Sequence, residues 1–475
     1  MSSSLWTADA NEALSLSLVR APEDKASLWS REVYEGFHPT FTYPIFGEEE
    51  KIYGYKDLAI ELKFASGSLV QYLNVHHSER LPPSSAVDEI EDTISKVIPP
   101  GYYTDEQKFL KRVEHDAVNF KPFGEKIYSY SRAAMPLTKG KNVAIAQVLS
   151  LEDQETVDYE VYHSTWKTPG FREFHRRMQL YVLLYIEGGS YITEDEETWE
   201  FAVLYEKRRR RSSPDIATYH FVGYATLYPF YCFPERVRLR ISQFLVLPPY
   251  QQDGHGSALY TAIYQHVLAQ PRIAELTVED PAEAFEDLRD RNDLKMLLAN
   301  ERFMREGFGP EAVSSNGGKV GGVGNGRARH RAKGRTIRAG AGKMGPPAER
   351  AWLEKWRTEL KIAGRQFHRL VEMLVLKHMD PLDERANRAY RLQVKERLYR
   401  FNYVRTLPSY PRFSPLPSIS PLLSSRRCIV YTLVLLLGIP CEVLMQLDKQ
   451  ERQQKLEETF QSVVADYRRI LGHVH

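Results

Sequence analysis

Apolar and polar positions change period several times along the chain. Leu58, Ile60, Leu62 and Phe64 alternate with Asp57, Ala59, Glu61 and Lys63, the period-two signature of a half-buried strand. Ala65-Ser66-Gly67-Ser68 supplies a turn, and Leu69 to Val75 reads as a second strand. Pro99-Pro100-Gly101 stops this region. After Gly170, Phe171, Phe174, Met178, Tyr181 and Tyr185 recur at steps of three and four. That spacing predicts one amphipathic helix, closed by Gly188-Gly189. Three strands are predicted next, Trp199 to Tyr205, Thr218 to Leu227 and Ile241 to Leu247, the last ended by Pro248-Pro249 because proline donates nothing to a ladder. A helix from Gly256 to Leu268 puts Leu259, Ala262, Ile263 and Val267 on one face. A short strand from Ala274 to Val278 and a helix opened by Asp280-Pro281 complete the series.

The regularity stops between Ser314 and Gly345, where glycine dominates and Lys319 to Lys343 holds eight Lys/Arg and no acid. Such a stretch cannot bury enough apolar surface to order itself. Helical spacing resumes after Pro347 with Trp352, Trp356, Leu360, Ala363, Phe367, Leu370 and Leu374, and two more helices are predicted over Asp383 to Phe401 and around Leu456 to Ile470. The reading is an α+β chain in four parts: an N-terminal α+β domain over 1–150, a central domain over 151–310, a disordered Gly/Arg-rich insert over 311–346, and a C-terminal helical domain over 347–475 with an atypical insert at 404–443.

Composition narrows the class. The 475 residues are 43% apolar and 27% charged, with a net charge of +2, a globular balance that announces neither nucleic acid nor a membrane surface. Three cysteines (Cys232, Cys428, Cys441) cannot make a disulfide framework or a four-thiolate metal site, and a reducing compartment is expected. Met1 to Glu23 lacks the basic-then-apolar pattern of a secretory leader. Cys428 to Cys441 is an apolar run of 14 residues, short of the roughly 20 that a bilayer span needs. His163, His175 and His378 lack ligand spacing, so no metal is expected.

One motif carries chemistry. Phe244-Leu245-Val246-Leu247 feeds Pro248, Pro249, Tyr250 and then Gln251-Gln252-Asp253-Gly254-His255-Gly256-Ser257, which opens the helix. Backbone N–H groups at a helix N-terminus are unpaired and carry partial positive charge, which suits a pyrophosphate. Gly254 and Gly256 permit positive φ and close approach. An ordinary strand-to-helix turn has the same local pattern. A dinucleotide fold fits less well, because a third glycine and a βαβ series are missing.

The order strand, Gln-x-x-Gly-x-Gly, helix, strand resembles the GNAT acetyltransferase superfamily. FLVLPPYQQDGHGSALY (Phe244 to Tyr260) and LTVEDPAEAFEDLRDRND (Leu276 to Asp293) are similar to the type B histone acetyltransferase catalytic subunits, of fungal type. FGEEEKIYGYKDL (Phe46 to Leu58), IPPGYY (Ile98 to Tyr103), Asn119 to Gly124 and GFREFHRRMQLY (Gly170 to Tyr181) fit the same family. The resemblance implies a GNAT mixed sheet flanked by helices and transfer of acetyl from acetyl-CoA to lysines in the N-terminal tail of newly made histone of the H-four type. It also implies a WD40 histone chaperone as partner, no membrane and no specific nucleic acid, and residence in cytoplasm and nucleus.

A lysine with a pKa near 10.4 must lose its proton before attack, which costs about 4.6 kcal/mol at pH 7. A carboxylate with a pKa raised by partial burial can accept that proton. The resemblance assigns this base to Glu279 of the VEDP run, with Glu187 and Asp280 as secondary carboxylates. Asp280 also reads as a helix N-cap and Glu187 as a helix-end carboxylate. Acetyl-CoA would lie along Phe244, Leu245 and Val246, over Gln251, Gln252, Asp253, Gly254, His255, Gly256 and Ser257, and against Ala282 and Arg291. Ala282 stands where some relatives carry asparagine and offers only backbone, and Arg291 meets a phosphate or solvates a helix face. His255 is read as a local hydrogen-bonder rather than a base. The tail would face Glu48, Glu49 and Glu50, with Trp199, Tyr228, Pro229 and Phe230 alongside. Acid runs are also ordinary solvated loops, and Trp199 also fits a core aromatic at a strand start. The basic run Lys207 to Arg211 is a solvated hairpin loop or a weak nuclear signal.

A GNAT acting on a small amine and a non-enzymatic histone-binding scaffold are the competing readings. The large flanking regions oppose the first, and Glu279 with the glycine turn opposes the second. The 404–443 insert interrupts a family stretch and is read as translated intron; transcripts spanning Tyr403 and Leu444 that include it would sink that idea.

Overall fold

The computed structural model describes residues 6–28, 32–82, 85–133, 156–210, 212–310, 342–403 and 449–474, with backbone only for 401–403. The chain packs as two compact units, Met1–Ile273 and Ala274–His475.

The first unit begins with a three-stranded sheet of β1 (Leu14–Val19), β2 (Ala59–Ala65) and β3 (Gln71–His76). β1 runs parallel to β2, and β2 antiparallel to β3. Leu14, Leu16 and Leu18 sit opposite Ile60, Leu62 and Phe64, and all six are buried. Period-two alternation on both strands thus produces one apolar face. Helix α1 (Tyr43–Phe46) lies in the segment between β1 and β2, and α2 (Glu106–Asn119) packs on β2 and β3, where Phe109 stacks on Tyr72 at 5.5 Å.

The larger sheet runs, within this unit, in the order β4 (Glu125–Ala133), β5 (Thr156–Thr165), β6 (Glu200–Arg209), β7 (Ala217–Cys232), β8 (Arg236–Val246), each antiparallel to the next. β4 and β5 lie on either side of residue 150, so the expected division between 1–150 and 151–310 does not separate compact units. β7 continues past the expected end at Leu227, with Pro229 in register with Leu239. The helix expected from Gly170 is two, α3 (Phe171–Met178) and α4 (Leu180–Tyr185). They part at Gln179, where Val182 N–H bonds back only three residues at 3.0 Å and tightens the turn. Helix α5 (His255–Ala269) packs on β4, β6 and β8.

The second unit takes up β9 (Ile273–Val278) from Ala274 on, then α6 (Glu283–Ala299), α7 (Glu301–Phe308), α8 (Arg350–Glu359), α9 (Gly364–His378), α10 (Glu384–Tyr403) and α11 (Lys449–Leu471). The continuous helix suggested from Trp352 to Leu374 is broken at Lys361. Its φ is 52°, and its carbonyl accepts Leu276 N–H at 2.8 Å, so a strand contact interrupts the helix. Buried carboxylates tie the helices together. Asp290 accepts from Gln366 and Arg369, and Glu372 from Arg397 and Tyr467. Residues 342–346, expected to be disordered, are packed: Met344 is fully buried, and its Cε would lie 2.5 Å from a β-carbon at Gly307. The rest of that insert, 311–341, and the 404–443 insert with its apolar run lie outside the described residues. Among the described residues no helix is long and apolar enough to cross a membrane.

Candidate functional site

The expected cofactor turn is built from β8 outward. Thr226 pairs with Gln243 and Leu227 with Ile241, so Ser242 is an extra residue and β8 bulges there. Gln243 N–H is satisfied by Thr226 Oγ1 at 3.0 Å. A bulge bends a strand and re-aims the residues beyond it, here Phe244, Leu245 and Val246. Leu245 is buried, whereas Phe244 and Val246 are half-buried on the other face. Behind them Gly223 is required, since a β-carbon there would lie 2.3 Å from Leu245 O.

A single 3-10 turn, Pro248–Tyr250, carries the chain to Gln251, whose Nε2 donates to Val246 O at 2.8 Å. Gln251, Gln252, Asp253 and Gly254 are exposed, His255 is buried, and Gly256 and Ser257 are half-buried. Gln252 and Gly254 adopt φ of 65° and 78°. Gly254 caps α5 and brings no side chain of its own to the helix N-terminus, where an anion is favoured. A β-carbon at Gly254 would come within 3.0 Å of Arg132 Nη2. Glycine at this position thus lets a cation approach the helix N-terminus closely, and the residues present fit a pyrophosphate. His255 Nδ1 lies 2.8 Å from Tyr130 Oη, and its ring packs on Tyr159 at 4.4 Å. Burial, helped by Arg132, lowers its pKa to about 4. It is neutral and fixed at physiological pH.

The turn rests on a buried ion pair. Arg20 Nη2 donates to Glu206 Oε2 at 2.6 Å and to Tyr250 Oη at 2.9 Å, and Tyr250 Oη donates to Glu206 Oε2 at 2.8 Å. Arg208 also reaches Glu206 and Glu32. Burial pushes the Glu206 carboxyl up, but Arg20 and Arg208 together hold it well below the usual carboxylate range. Three distant segments thereby fix Tyr250, the residue just before the turn.

In the segments expected to face the histone tail, Thr40 and Phe41 N–H groups bond Leu184 O, and Tyr43 Oη accepts from Gly188 N–H at 2.7 Å. This brings exposed Glu187, at the end of α4, to the segment that leads into the acidic run. Glu48 and Glu49 are exposed, and Glu49 accepts from Tyr53 Oη at 3.0 Å. Glu50 is directed elsewhere. Its carboxylate accepts Thr42 N–H at 2.6 Å and Tyr43 N–H at 3.1 Å, and the Thr42 bond leads in holding its pKa low against burial. Glu50 therefore supports the start of α1. Trp199 is half-buried and stacks edge-on against Tyr228 at 4.8 Å, and Tyr228 meets Phe230 at 4.7 Å. Pro229 lies between them in β7. Gln243 Nε2 donates to Ser190 O at 2.9 Å, which links the strand paired with this aromatic row to the loop after Glu187.

In the second unit, Glu279 and Asp280 are exposed directly after β9. Asp280 has φ 30° and is not the helix cap. Ala282 is the cap of α6, without a side-chain bond, so helix capping does not account for Asp280. Arg291 is half-buried, and its Nε donates to Asp287 O at 3.0 Å within its own helix. Arg132 is the residue that sequence reasoning missed. It comes from β4, far up the chain, and no local pattern marks it.

Comparison with known proteins agrees with this geometry. Residues 6–187 match the family model described as histone acetyl transferase HAT1 N-terminus, 166–285 the acetyltransferase (GNAT) family, and 340–380 fungal HAT1, C-terminal. The chain is 46% identical over 475 residues to a histone acetyltransferase type B catalytic subunit of Cryptococcus neoformans, covering 98% of this chain and 97% of the relative. A protein of the same name from Mycosarcoma maydis is 37% identical, covering 98% and 88%, and one from Homo sapiens 29%, covering 98% and 93%. This chain, an acyltransferase that uses acetyl-CoA, therefore belongs to the family of type B histone acetyltransferase catalytic subunits.

Proposed function

We propose that the chain acetylates lysines in the N-terminal tail of free, newly made histone of the H-four type, by direct attack with Glu279 as general base. The observation that carries the reading is that the unit holding the glycine turn also carries exposed acids and an aromatic row. Glu187 adjoins the Tyr43–Gly188 contact, Glu48 and Glu49 follow Tyr43 in the chain, and Trp199, Tyr228 and Phe230 stack in a row with Pro229 between the last two. A Lys/Arg-rich peptide finds charge complementarity there and ring faces for its cations. A small amine would need far less surface.

Bound acetyl-CoA supplies the thioester: the amine nitrogen bonds to its carbonyl carbon as the carbon–sulfur bond breaks, and the sulfur leaves as thiol with the second proton that the nitrogen sheds. The chain's own residues bind and move a proton. Phe244, Leu245 and Val246 offer backbone to the pantetheine arm as an added strand would. The Gln251–Ser257 backbone and Arg132 take the pyrophosphate, and Ala282 and Arg291 are further contacts. Glu279 takes the lysine proton. It is exposed directly after β9. Glu187 and Asp280 are secondary carboxylates. A WD40 histone chaperone as partner, and residence in cytoplasm and nucleus, accord with the same resemblance.

The test is acetyl transfer by purified protein to free histones and to polyamines, from labelled acetyl-CoA, for the parent and Glu279→Gln. Histone labelling that depends on Glu279 is expected. Labelling of polyamines in preference to histones would overturn the substrate assignment.

A further inference from the structure

Away from the acetyl-transfer residues, three side chains from three elements converge where α5 ends. His163 of β5, Glu200 at the start of β6 and His266 in the last turn of α5 each offer a donor atom, and these atoms lie within 4.8 Å of one another. Register explains the first two. His163 pairs with Ala202 and Glu200 with Thr165, so both point to the same face of the sheet. α5 packs on β6 and brings in His266. His163 Nε2 lies 2.9 Å from Glu200 Oε2, and the two imidazole rings are 4.6 Å apart with 24° between their planes. His266 Nε2 is buried and has no hydrogen-bond partner, which is costly unless something fills the position. The other oxygen, Glu200 Oε1, is held by Arg272 Nη2 at 2.6 Å.

Two imidazoles and a carboxylate form a familiar donor set for a borderline divalent ion, and a partner fixing the carboxylate's far oxygen is the usual outer support. We propose that His163, Glu200 and His266 bind a divalent transition metal of the zinc class, with Arg272 orienting Glu200. This replaces the expectation of no metal. The three positions are too far apart in sequence for ligand spacing to reveal them. Tetrahedral zinc places neighbouring donors about 3.3 Å apart, so His266 rotates inward on binding. His163 then gives the metal its Nε2 lone pair and carries its proton on Nδ1. Water, or Glu125 directly opposite His163 on β4, takes the fourth position. His163 is 17% exposed, which leaves a path for the ion. Eleven residues of helix, about 16 Å, separate His266 from the cofactor turn at the other end of α5. The ion thus clamps that helix to β5 and β6 and takes no part in the chemistry.

The experiment uses the tag-free full chain, stripped with a chelator and titrated with Zn2+ alone and with Co2+ alone. One equivalent should bind, Co2+ should give a ligand-field spectrum, and Zn2+ should raise Tm. His266→Asn and His163→Asn should each weaken binding by tenfold or more, and Arg272→Gln by about tenfold. Comparing each variant's Tm in chelator with its Tm in Zn2+ separates lost binding from lost folding: the parent gains Tm on adding Zn2+, and the two histidine variants do not. Replacing exposed His76 should change nothing. No saturable binding by the parent, or unchanged affinity in His266→Asn, would overturn the proposal.

Discussion

In the proposed reading, Gly254 is the residue on which cofactor binding turns. Its φ of 78° and the nearby Arg132 guanidinium make any side chain doubly unwelcome. Forcing an L-residue into this region costs about 1–2 kcal/mol, and a methyl group must also displace the cation. Gly254→Ala should therefore lower Tm by about 2–4 °C, and because its methyl displaces the guanidinium from the turn it should raise the KM for acetyl-CoA about tenfold, about 1.4 kcal/mol in affinity. An unchanged KM would mean that the turn does not hold the cofactor. This part of the site was legible because it is local: strand, prolines, glycines and helix succeed one another in sequence. Arg132 was not legible, because only pairing of β4 in the sheet and packing of α5 on it bring the guanidinium to the turn. Glu50 misled for the opposite reason. It looks like its two acidic neighbours, but positive φ turns it back onto the N–H groups of Thr42 and Tyr43.

Among the elements, β6 and the Pro248–Tyr250 turn are coupled through a buried charge. Glu206 is fully buried with Arg20 on one side and Tyr250 on the other. Glu206→Gln keeps the shape and removes the charge, leaving Arg20 buried and uncompensated, which costs about 3–5 kcal/mol. The variant should unfold at a clearly lower denaturant concentration, and its surviving fold should bind acetyl-CoA more weakly. Stability equal to the parent's would contradict the anchoring role. Elements were legible where one face alternates or repeats cleanly, as in β2 and α5. Leu14, Leu16 and Leu18 carried the same signal for β1 and went unread. The break between α8 and α9 had no local signal, because it answers to Leu276 of β9.

Over the whole molecule, acid should destabilise the fold through buried histidines. His175, packed against Trp166 and Phe201 with neither ring nitrogen bonded, has a pKa lowered by burial to about 3, and burial lowers His255 and His378 to about 4. An unfolded histidine titrates near 6.5. Below that pH the unfolded chain binds protons that the folded chain refuses, so stability is full above about 6.5 and falls as pH drops toward these values. His175→Phe should thus be more stable than the parent at pH 5 and nearly equal to it at pH 7.5. Equal acid sensitivity would show that His175 takes no part. The domain division at residue 150 was illegible at this scale because one sheet is assembled from both sides of it. The central claim is lysine acetylation of a histone tail by a glutamate base, and steady-state acetylation of free H-four-type histone by the parent and Glu279→Gln tests it most directly. A kcat reduced about 100-fold or more with acetyl-CoA binding retained is predicted; an undiminished kcat in Glu279→Gln, or no labelled histone from the parent, would contradict it.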